Sequence, residues 1–196
     1  MTVVMTDRIQ MADTDDMSLD KLFELLERMV PEGFRAEIVG GGIFVSPQRD
    51  THWEIIRRFI WALEDRFGRK SVKVKTDMRI DFPGYKNAFC PDVVKLSADA
   101  EKDEHGHWRY KDVEFVAEVI SRATAQNDYG KKREVYASAG VPVHVIADPY
   151  TRKCLVSTEP EGDRYREEVT VKFGDPIDLT GTVVDMVVPT HDFPHD

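Results

Sequence analysis

The stretch VEFVAEVISRATAQNDYGKKREVY, residues 113–136, decides the fold. Its first part is an apolar run typical of a strand buried on both faces, and the single acid Glu118 interrupts that run. An ionised carboxylate in such a strand is strongly unfavourable unless a cation or hydrogen-bond donors meet it. The second part predicts a helix that carries Asp128, Lys132 and Tyr136 at intervals of four, hence on one face. Glu118 needs a partner, and this helix can supply one.

A second acid repeats the pattern one strand earlier. In the run CPDVVKL, residues 90–96, Asp92 is the sole acid. Two buried carboxylates on neighbouring strands increase the shortage of positive charge and indicate a metal ion. Carboxylate oxygens, water and substrate phosphate are the ligands that a hard divalent ion such as Mg²⁺ takes. With a lysine nearby, these groups would form a site for phosphodiester cleavage.

Several short motifs in and around this stretch match a known family. They are Pro91-Asp92, Glu118 in the block AEVIS, the D-x-x-x-K-x-x-x-Y spacing of Asp128, Lys132 and Tyr136, the block AGVP at 139–142, and Asp148-Pro149. Over residues 37–149 the chain resembles the Uma2 family (DUF820) of the PD-(D/E)xK nuclease superfamily. The resemblance implies an α/β fold with a restriction endonuclease-like core, in which helices flank a mixed central sheet. Extra antiparallel strands are expected at the C-terminus.

The same resemblance implies a function and a set of site residues. The expected protein is a metal-dependent endonuclease that hydrolyses phosphodiester bonds of nucleic acid, with DNA as substrate and Mg²⁺ or Mn²⁺ as cofactor. Asp92, Glu118 and Lys132 are the expected catalytic residues. The expected metal ligands are Asp92, Glu118 and the backbone carbonyl of Val119. The alternative for the two acids is a pair at strand ends that is solvated or salt-bridged to Lys132. Glu37 matches an acidic position of the family and is a further candidate ligand, with an exposed strand residue as the alternative.

The lysine departs from the superfamily pattern. In a D/E-x-K motif the lysine follows the acid by two residues and shares its face of the strand, but that position is Ile120 here. We therefore expect the Lys132 amine to lie within about 6 Å of the Glu118 carboxylate. Lys131, rotated by about 100° around the helix, should point elsewhere. Lys132→Ala is expected to abolish cleavage with the fold intact, and Lys131→Ala to be tolerated.

Four secondary residues each have two interpretations. His52, in the first turn of a predicted helix, lies at the site edge or is a solvated or capping residue. Ser121 binds phosphate or caps the following turn. Asp128 is catalytic or is an acid near a helix N-terminus. The Tyr136 hydroxyl hydrogen-bonds within the site or its ring is an aromatic anchor.

Composition limits the other possibilities. With 196 residues, 41% of them hydrophobic, the chain can form one substantial core, so we expect a single domain at 18–196 behind a flexible arm at 1–17. The net charge of -9 argues against nonspecific coating of nucleic acid. The same charge is compatible with an alternative function, in which the protein is a catalytically silent module that binds nucleic acid or self-associates. Between Arg57 and Lys75, seven Lys or Arg accompany two acids, which indicates a phosphate-facing strip or a solvated helix face.

The remaining features set the expected location and assembly. Cys90 and Cys154 lie in apolar contexts and are interpreted as reduced core residues. His105 and His107 lie in a polar loop, residues 97–111, and are interpreted as having no metal role. No leader pattern and no apolar run of about 18 residues occurs, so a cytoplasmic protein without membrane partners is expected. Many restriction-type enzymes act as two-fold dimers, and we expect a homodimer.

Periodicity predicts the order of the elements. Helices are expected at 18–30, 50–67 and 127–139. Strands are expected at 34–39, 43–45, 71–76, 78–81, 90–96, 115–120 and 143–147. The last two should be parallel, because a helix joins them. Antiparallel strands at 153–158, 164–172 and 182–188 should follow.

Overall fold

The secondary structure follows the predicted order with additional short strands. The computed structural model describes residues 8–9, 16–47, 50–70, 73–122 and 124–195. The helices are α1 Leu19–Met29, α2 Asp50–Phe67, α3 Ala125–Asn127 and α4 Arg133–Ser138, with a π-helical turn, Asp128–Lys132, between α3 and α4. The strands are β1 Arg8–Ile9, β2 Phe34–Val39, β3 Gly42–Pro47, β4 Lys73–Lys75, β5 Ile80–Phe82, β6 Asn87–Phe89, β7 Val93–Leu96, β8 Trp108–Arg109, β9 Val113–Val119, β10 Val143–Asp148, β11 Lys153–Glu161, β12 Arg164–Lys172, β13 Ile177–Asp178 and β14 Val187–Val188.

The central sheet carries the two predicted acidic strands. Its strand order is β12-β11-β10-β9-β7-β4. Strands β9 and β10 are parallel, which confirms the predicted crossover, and the other neighbouring pairs of this sheet are antiparallel. The long C-terminal strands β11 and β12 extend the sheet, as predicted. The sheet is therefore mixed, and the fold class inferred from the sequence is confirmed.

A second six-stranded sheet, not foreseen in the sequence, packs against the central one. Its order is β1-β3-β2-β6-β5-β8. Two backbone features separate the sheets. Asp77 has a φ of 51°, which turns the chain between β4 and β5. Pro91 has no N–H to donate to a ladder, and the strand predicted at 90–96 begins only at Val93. The chain thus leaves the second sheet and enters the central one just beside Asp92.

Helices cover the remaining faces of the two sheets. The stripe of Ile55, Phe59 and Leu63 on α2 is buried against β9, on the face that carries Phe115 and Ala117. Glu118, with alternating orientation, extends from the opposite face. Helix α1 begins at the Ser18 N-cap, whose hydroxyl accepts a hydrogen bond from the Lys21 N–H at 3.3 Å. Its Leu22 and Leu26 pack on the second sheet.

Three local predictions differ from the structure. The predicted loop 97–111 contains β8, which pairs with β5, because Trp108 packs on the second sheet. Of the predicted strand 182–188, only Val187–Val188 forms, because this short segment pairs with β13 rather than with the central sheet. The predicted helix 127–139 runs instead from Ala125 to Ser138 and contains the π-helical turn.

Other predictions concern the N-terminus and the cysteines. Most of the predicted arm, residues 1–17, lies outside the described residues, while β1 within it pairs with Ile43 and Phe44. Cys90 and Cys154 are buried and free of disulfides, as predicted.

Candidate active site

The two predicted acids meet where β7 begins and β9 ends. The Val119 N–H donates to Asp92 Oδ2 at 2.7 Å, and the Asp92 N–H donates to Glu118 Oε2 at 3.3 Å. Asp92 is 2% exposed and Glu118 is 1% exposed. Because β7 and β9 are antiparallel neighbours, each backbone holds the carboxylate of the other strand. The predicted approach of these two buried acids is confirmed.

Lys132 lies at the centre of three carboxylates. Its Nζ is 2.8 Å from Glu118 Oε1, 3.0 Å from Glu37 Oε1 and 3.1 Å from Asp128 Oδ1. The predicted proximity to Glu118 is confirmed, and Lys131 points to solvent with a side chain that is 56% exposed. Burial alone would lower the pKa of Lys132, but the three carboxylates hold that pKa well above its ordinary value. The amine is a fixed, buried cation.

The turn before the helix fixes the position of Asp128. The hydroxyl groups of Ser121 and Thr124 are 2.8 Å apart, and the Thr124 hydroxyl donates to Asp128 Oδ2 at 3.2 Å. Ser121 also accepts from the Thr124 N–H at 3.3 Å, which is the predicted capping arrangement. Asp128 and Lys132 are the two ends of the π-helical turn, a feature that occurs frequently at functional sites. Asp128 is a buried partner of the lysine, and it also lies in the first turn of the π-helical segment.

Glu118 carries a strongly perturbed carboxyl group. Burial raises its pKa to about 8; Lys132 opposes the shift, and the charges of Glu37 and Asp92 add to it. The Tyr136 hydroxyl donates to Glu118 Oε1 at 2.5 Å. The Tyr136 ring is fully buried, with its centroid 5.1 Å from that of Phe82. Both interpretations of Tyr136 therefore apply, because its ring anchors the core and its hydroxyl fixes the acid.

Asp92 contacts two further groups, one of them missed in the sequence. The Arg35 guanidinium, from β2, forms an ion pair with Asp92 and a second with Asp77 at 2.9 Å. His52 Nε2, at the head of α2, lies 3.7 Å from Asp92 Oδ2, which places this side chain at the site edge. Burial disfavours the charge on Arg35, but Asp92 and Glu37 outweigh it and raise the pKa of Arg35. The Arg35 charge, with His52 and the Val119 N–H, holds the pKa of Asp92 below its ordinary value against its burial.

Glu37 is buried rather than an exposed strand residue, so that alternative is wrong. Its Oε1 accepts a hydrogen bond from the Cys90 N–H at 2.8 Å, and both oxygens lie within 3.1 Å of Lys132 Nζ. Arg35 and Glu37 are two residues apart on β2 and share one face of it. The alternation of side chains along β2 is the sequence signal that could have identified Arg35 as a site residue. Strand β2 thus contributes one cation and one acid to the site.

Comparison with known proteins identifies the family and the fold of the chain. The family model of Uma2, described as a putative restriction endonuclease, matches residues 20–189. The chain belongs to the Uma2 family. A similar solved structure is that of a putative nuclease belonging to DUF820 from Anabaena variabilis ATCC 29413, at 14% identity and a TM-score of 0.68. The match covers 90% of this chain and 97% of that one, and at this identity it shows a shared fold alone. No curated protein matches the chain.

The charge balance of this Uma2 site fits a divalent cation. Four acids are buried together, namely Glu37, Asp92, Glu118 and Asp128, and the buried cations beside them are Lys132 and Arg35. Uncompensated buried negative charge is unfavourable, and it is relieved by proton uptake or by a cation. All four acids offer hard oxygen ligands, which suit Mg²⁺ or Mn²⁺. The residues therefore fit the type of ion that the sequence predicts.

A separate group of possible ligands lies elsewhere in the Uma2 chain. Within the described ranges, the ligand atoms of Asp20, Asp81 and His107 all lie within 4.8 Å of one another. Arg79 already pairs with Asp20 at 2.8 Å and with Asp81 at 2.7 Å.

At the main site, Asp92 and Glu118 supply two carboxylates, and the predicted third ligand is a backbone carbonyl. Mg²⁺ is usually bound by one or two carboxylates and completed by water and phosphate.

The helices that the structure describes include none with the length and apolar character needed to cross a membrane. The family and the fold are those of restriction endonuclease-like nucleases.

Proposed function

We propose that this protein is a metal-dependent endonuclease that hydrolyses phosphodiester bonds of nucleic acid, with DNA as its substrate. The observation that supports the proposal best is the buried contact between Lys132 Nζ and Glu118 Oε1 at 2.8 Å, beside Asp92. A fold does not need two carboxylates and an amine inside a sheet, and burying them is expensive. Perturbed ionisable groups held together in this way are typical of active sites.

Each residue has a distinct role in the proposed reaction. Asp92, Glu118 and the Val119 carbonyl would hold Mg²⁺ or Mn²⁺, with Glu37 as a further candidate ligand. The bound ion would polarise the scissile phosphate and lower the pKa of a water molecule. Lys132 orients that water or neutralises the charge that develops on the phosphate. Three carboxylates hold the lysine in place before substrate arrives, so little reorganisation is needed.

The supporting residues position the catalytic ones. The Tyr136 hydroxyl fixes one oxygen of Glu118, and Asp128 fixes the lysine. Ser121 acts through Asp128 by way of the Thr124 hydroxyl. Arg35 and His52 lie on the Asp92 side, where a phosphate would approach, and Arg35 offers donors matched to phosphate oxygens.

A second candidate function is a catalytically silent module that binds nucleic acid or self-associates. The observation that favours it is the ion pair between the Arg35 guanidinium and Asp92, because this cation neutralises the carboxylate without a metal ion. Metal binding separates the two candidates. The single domain at 18–196, the cytoplasmic location and the homodimer inferred from the sequence stay predictions.

Millimolar Mn²⁺ should raise the melting temperature of the wild-type protein by about 3–10 °C, because a ligand of the native state stabilises it. Asp92→Asn should remove this response, since it deletes a charged ligand. The measurement is a thermal melt followed by circular dichroism, with and without Mn²⁺. Asp81→Asn, in the separate group with Asp20 and His107, is the matched control and should keep the full response. Equal responses of wild type and Asp92→Asn would mean that the ion binds elsewhere.

Light scattering should return about twice the chain mass of 22.5 kDa at micromolar concentration. The physical reason is that closed two-fold pairs are the commonest soluble oligomers. A mass of 22.5 kDa throughout the micromolar range would contradict the homodimer.

A further inference from the structure

The solvent side of α2 carries two large aromatic side chains. Trp53 is 51% exposed and Trp61 is 44% exposed. The Arg57 guanidinium lies over the Trp61 ring, 4.6 Å from its centroid. Residues 53, 57 and 61 are spaced by four and share one helix face. We call Trp53, Arg57 and Trp61 the α2 stripe. Contiguous exposed apolar surface of this kind marks interaction sites.

The α2 stripe begins beside the candidate active site. His52, the residue before Trp53, lies 3.7 Å from Asp92. From Trp53 to Trp61 the helix rises by about 12 Å. The path along the stripe therefore starts at the end of α2 where His52 lies close to Asp92.

A groove extends this path beyond Trp61. It has a volume of about 410 Å³ and lies between α2 and the C-terminal segment. Its lining includes Arg58, Trp61, Arg66 and Pro189. The groove combines an aromatic wall with two guanidinium groups, and acids also line it at Asp65 and Asp192.

The charge of this region favours an anionic partner of moderate affinity. From residue 54 to residue 75 the chain carries seven Lys or Arg and three acids, whereas the whole chain has a net charge of -9. Glu54 engages Arg57 at 2.6 Å and Arg58 at 2.7 Å, which leaves one net positive charge on the three residues. Coulombic attraction alone is therefore small here. Aromatic stacking is the larger contribution that the surface offers.

We propose that the α2 stripe binds unpaired nucleotides of a single strand whose backbone enters the Asp92 and Glu118 site. This inference rests on the proposed nuclease function. An exposed indole stacks on the face of a base, and bases are free to accept such a contact only outside a duplex. Arg57 on the Trp61 ring adds a cation beside the stacked base.

The test is binding of a fluorescein-labelled oligothymidylate of twelve nucleotides, measured by anisotropy in chelator so that no cleavage occurs. Trp53→Ala and Trp61→Ala should each weaken binding about tenfold, a loss typical of one base stacked on an aromatic ring. Trp53→Phe and Trp61→Phe should restore most of the affinity, because the ring is retained. Met29→Ala, which truncates another exposed apolar side chain on a helix, should change nothing. A duplex of equal length should bind more weakly, and neither tryptophan substitution should change its affinity.

Two outcomes would overturn the inference. One is an unchanged affinity of both alanine variants for the oligonucleotide. The other is a wild-type dimer that becomes monomeric in the Trp53→Ala, Trp61→Ala double variant, because the stripe would then be a contact between copies of the chain. Metal-dependent cleavage is assayed separately on the wild type. If the wild type cleaves DNA but the tryptophan variants bind the oligonucleotide normally, only the proposed role of the α2 stripe is refuted. If binding depends on the tryptophans but no cleavage occurs, only the nuclease proposal is refuted.

Discussion

Replacing Lys132 by methionine should lower metal-dependent cleavage by about 10²–10³-fold, the range for loss of one positioned group that stabilises developing charge. It should also destabilise the fold by about 3–5 kcal/mol, because breaking a buried ion pair leaves uncompensated charge. The amine is within 3.1 Å of three carboxylates. The expectation that Lys132→Ala keeps its fold stays a prediction, and these contacts indicate that the variant would be less stable.

The loss of stability in Lys132→Met should depend on pH. Burial raises the pKa values of Glu118 and Asp128, and Lys132 opposes this shift, so without the amine these two pKa values rise further and the folded state retains protons that the unfolded state has released. Stability then falls as pH rises, and the deficit relative to wild type should be larger at pH 8 than at pH 5. Urea unfolding at the two pH values measures this deficit, and linearisation of single-stranded circular DNA measures cleavage.

Lys131→Met is the matched control for this variant. Its side chain is largely exposed and lies 3.9 Å from Glu134, so stability should change by less than about 0.5 kcal/mol and cleavage should not change. Wild-type cleavage by Lys132→Met would refute the assigned role of this lysine.

The central part of the site was predictable because burial of charge is costly. Asp92 and Glu118 are isolated acids in apolar runs, and such acids must be paired. Ile120 at the usual lysine position made Lys132 the nearest alternative, and its four-residue spacing from Asp128 and Tyr136 placed all three on one helix face. These arguments are local, and they need only the period of a strand and of a helix.

The rest of the site depends on contacts between distant segments. Arg35 is 57 residues from its partner Asp92 in sequence. Strand periodicity shows which face a residue occupies but not which other strand meets that face. The second sheet was missed for the same reason, since nothing in the runs of β2, β5 and β6 states which strands they pair with. The π-helical turn is likewise set by packing, because Lys132 must reach three acids at once.

His144→Phe should make the protein much less sensitive to acid. The His144 ring is fully buried, 5.0 Å from the Tyr136 ring and 6.0 Å from the Tyr165 ring by centroids. Among the residues that the structure describes, neither ring nitrogen meets a hydrogen-bond partner. Burial, together with the nearby charges of Lys132 and Arg133, lowers the pKa of His144 to about 3. The folded state therefore contains the neutral imidazole.

The sign of the pH effect follows from the two states. The unfolded histidine binds a proton below about pH 6.5, whereas the folded one stays neutral down to about pH 3. The free energy of unfolding therefore decreases as the pH falls through this window, because protonation of His144 favours the unfolded state. Between pH 7 and pH 4 this decrease should be about 3 kcal/mol. Phenylalanine keeps the ring contacts and cannot bind the proton, so this loss should disappear.

Urea unfolding at pH 7 and pH 4 tests the His144 prediction. At pH 7 the variant should be more stable than wild type by about 1–3 kcal/mol, because two unpaired buried nitrogens are removed. The difference in the free energy of unfolding between the variant and the wild type should be larger at pH 4. His105→Gln is the control, since that ring is exposed in the loop and its replacement should leave both curves unchanged. If wild type and His144→Phe lose equal stability between pH 7 and pH 4, then the acid sensitivity in this range belongs to groups other than His144.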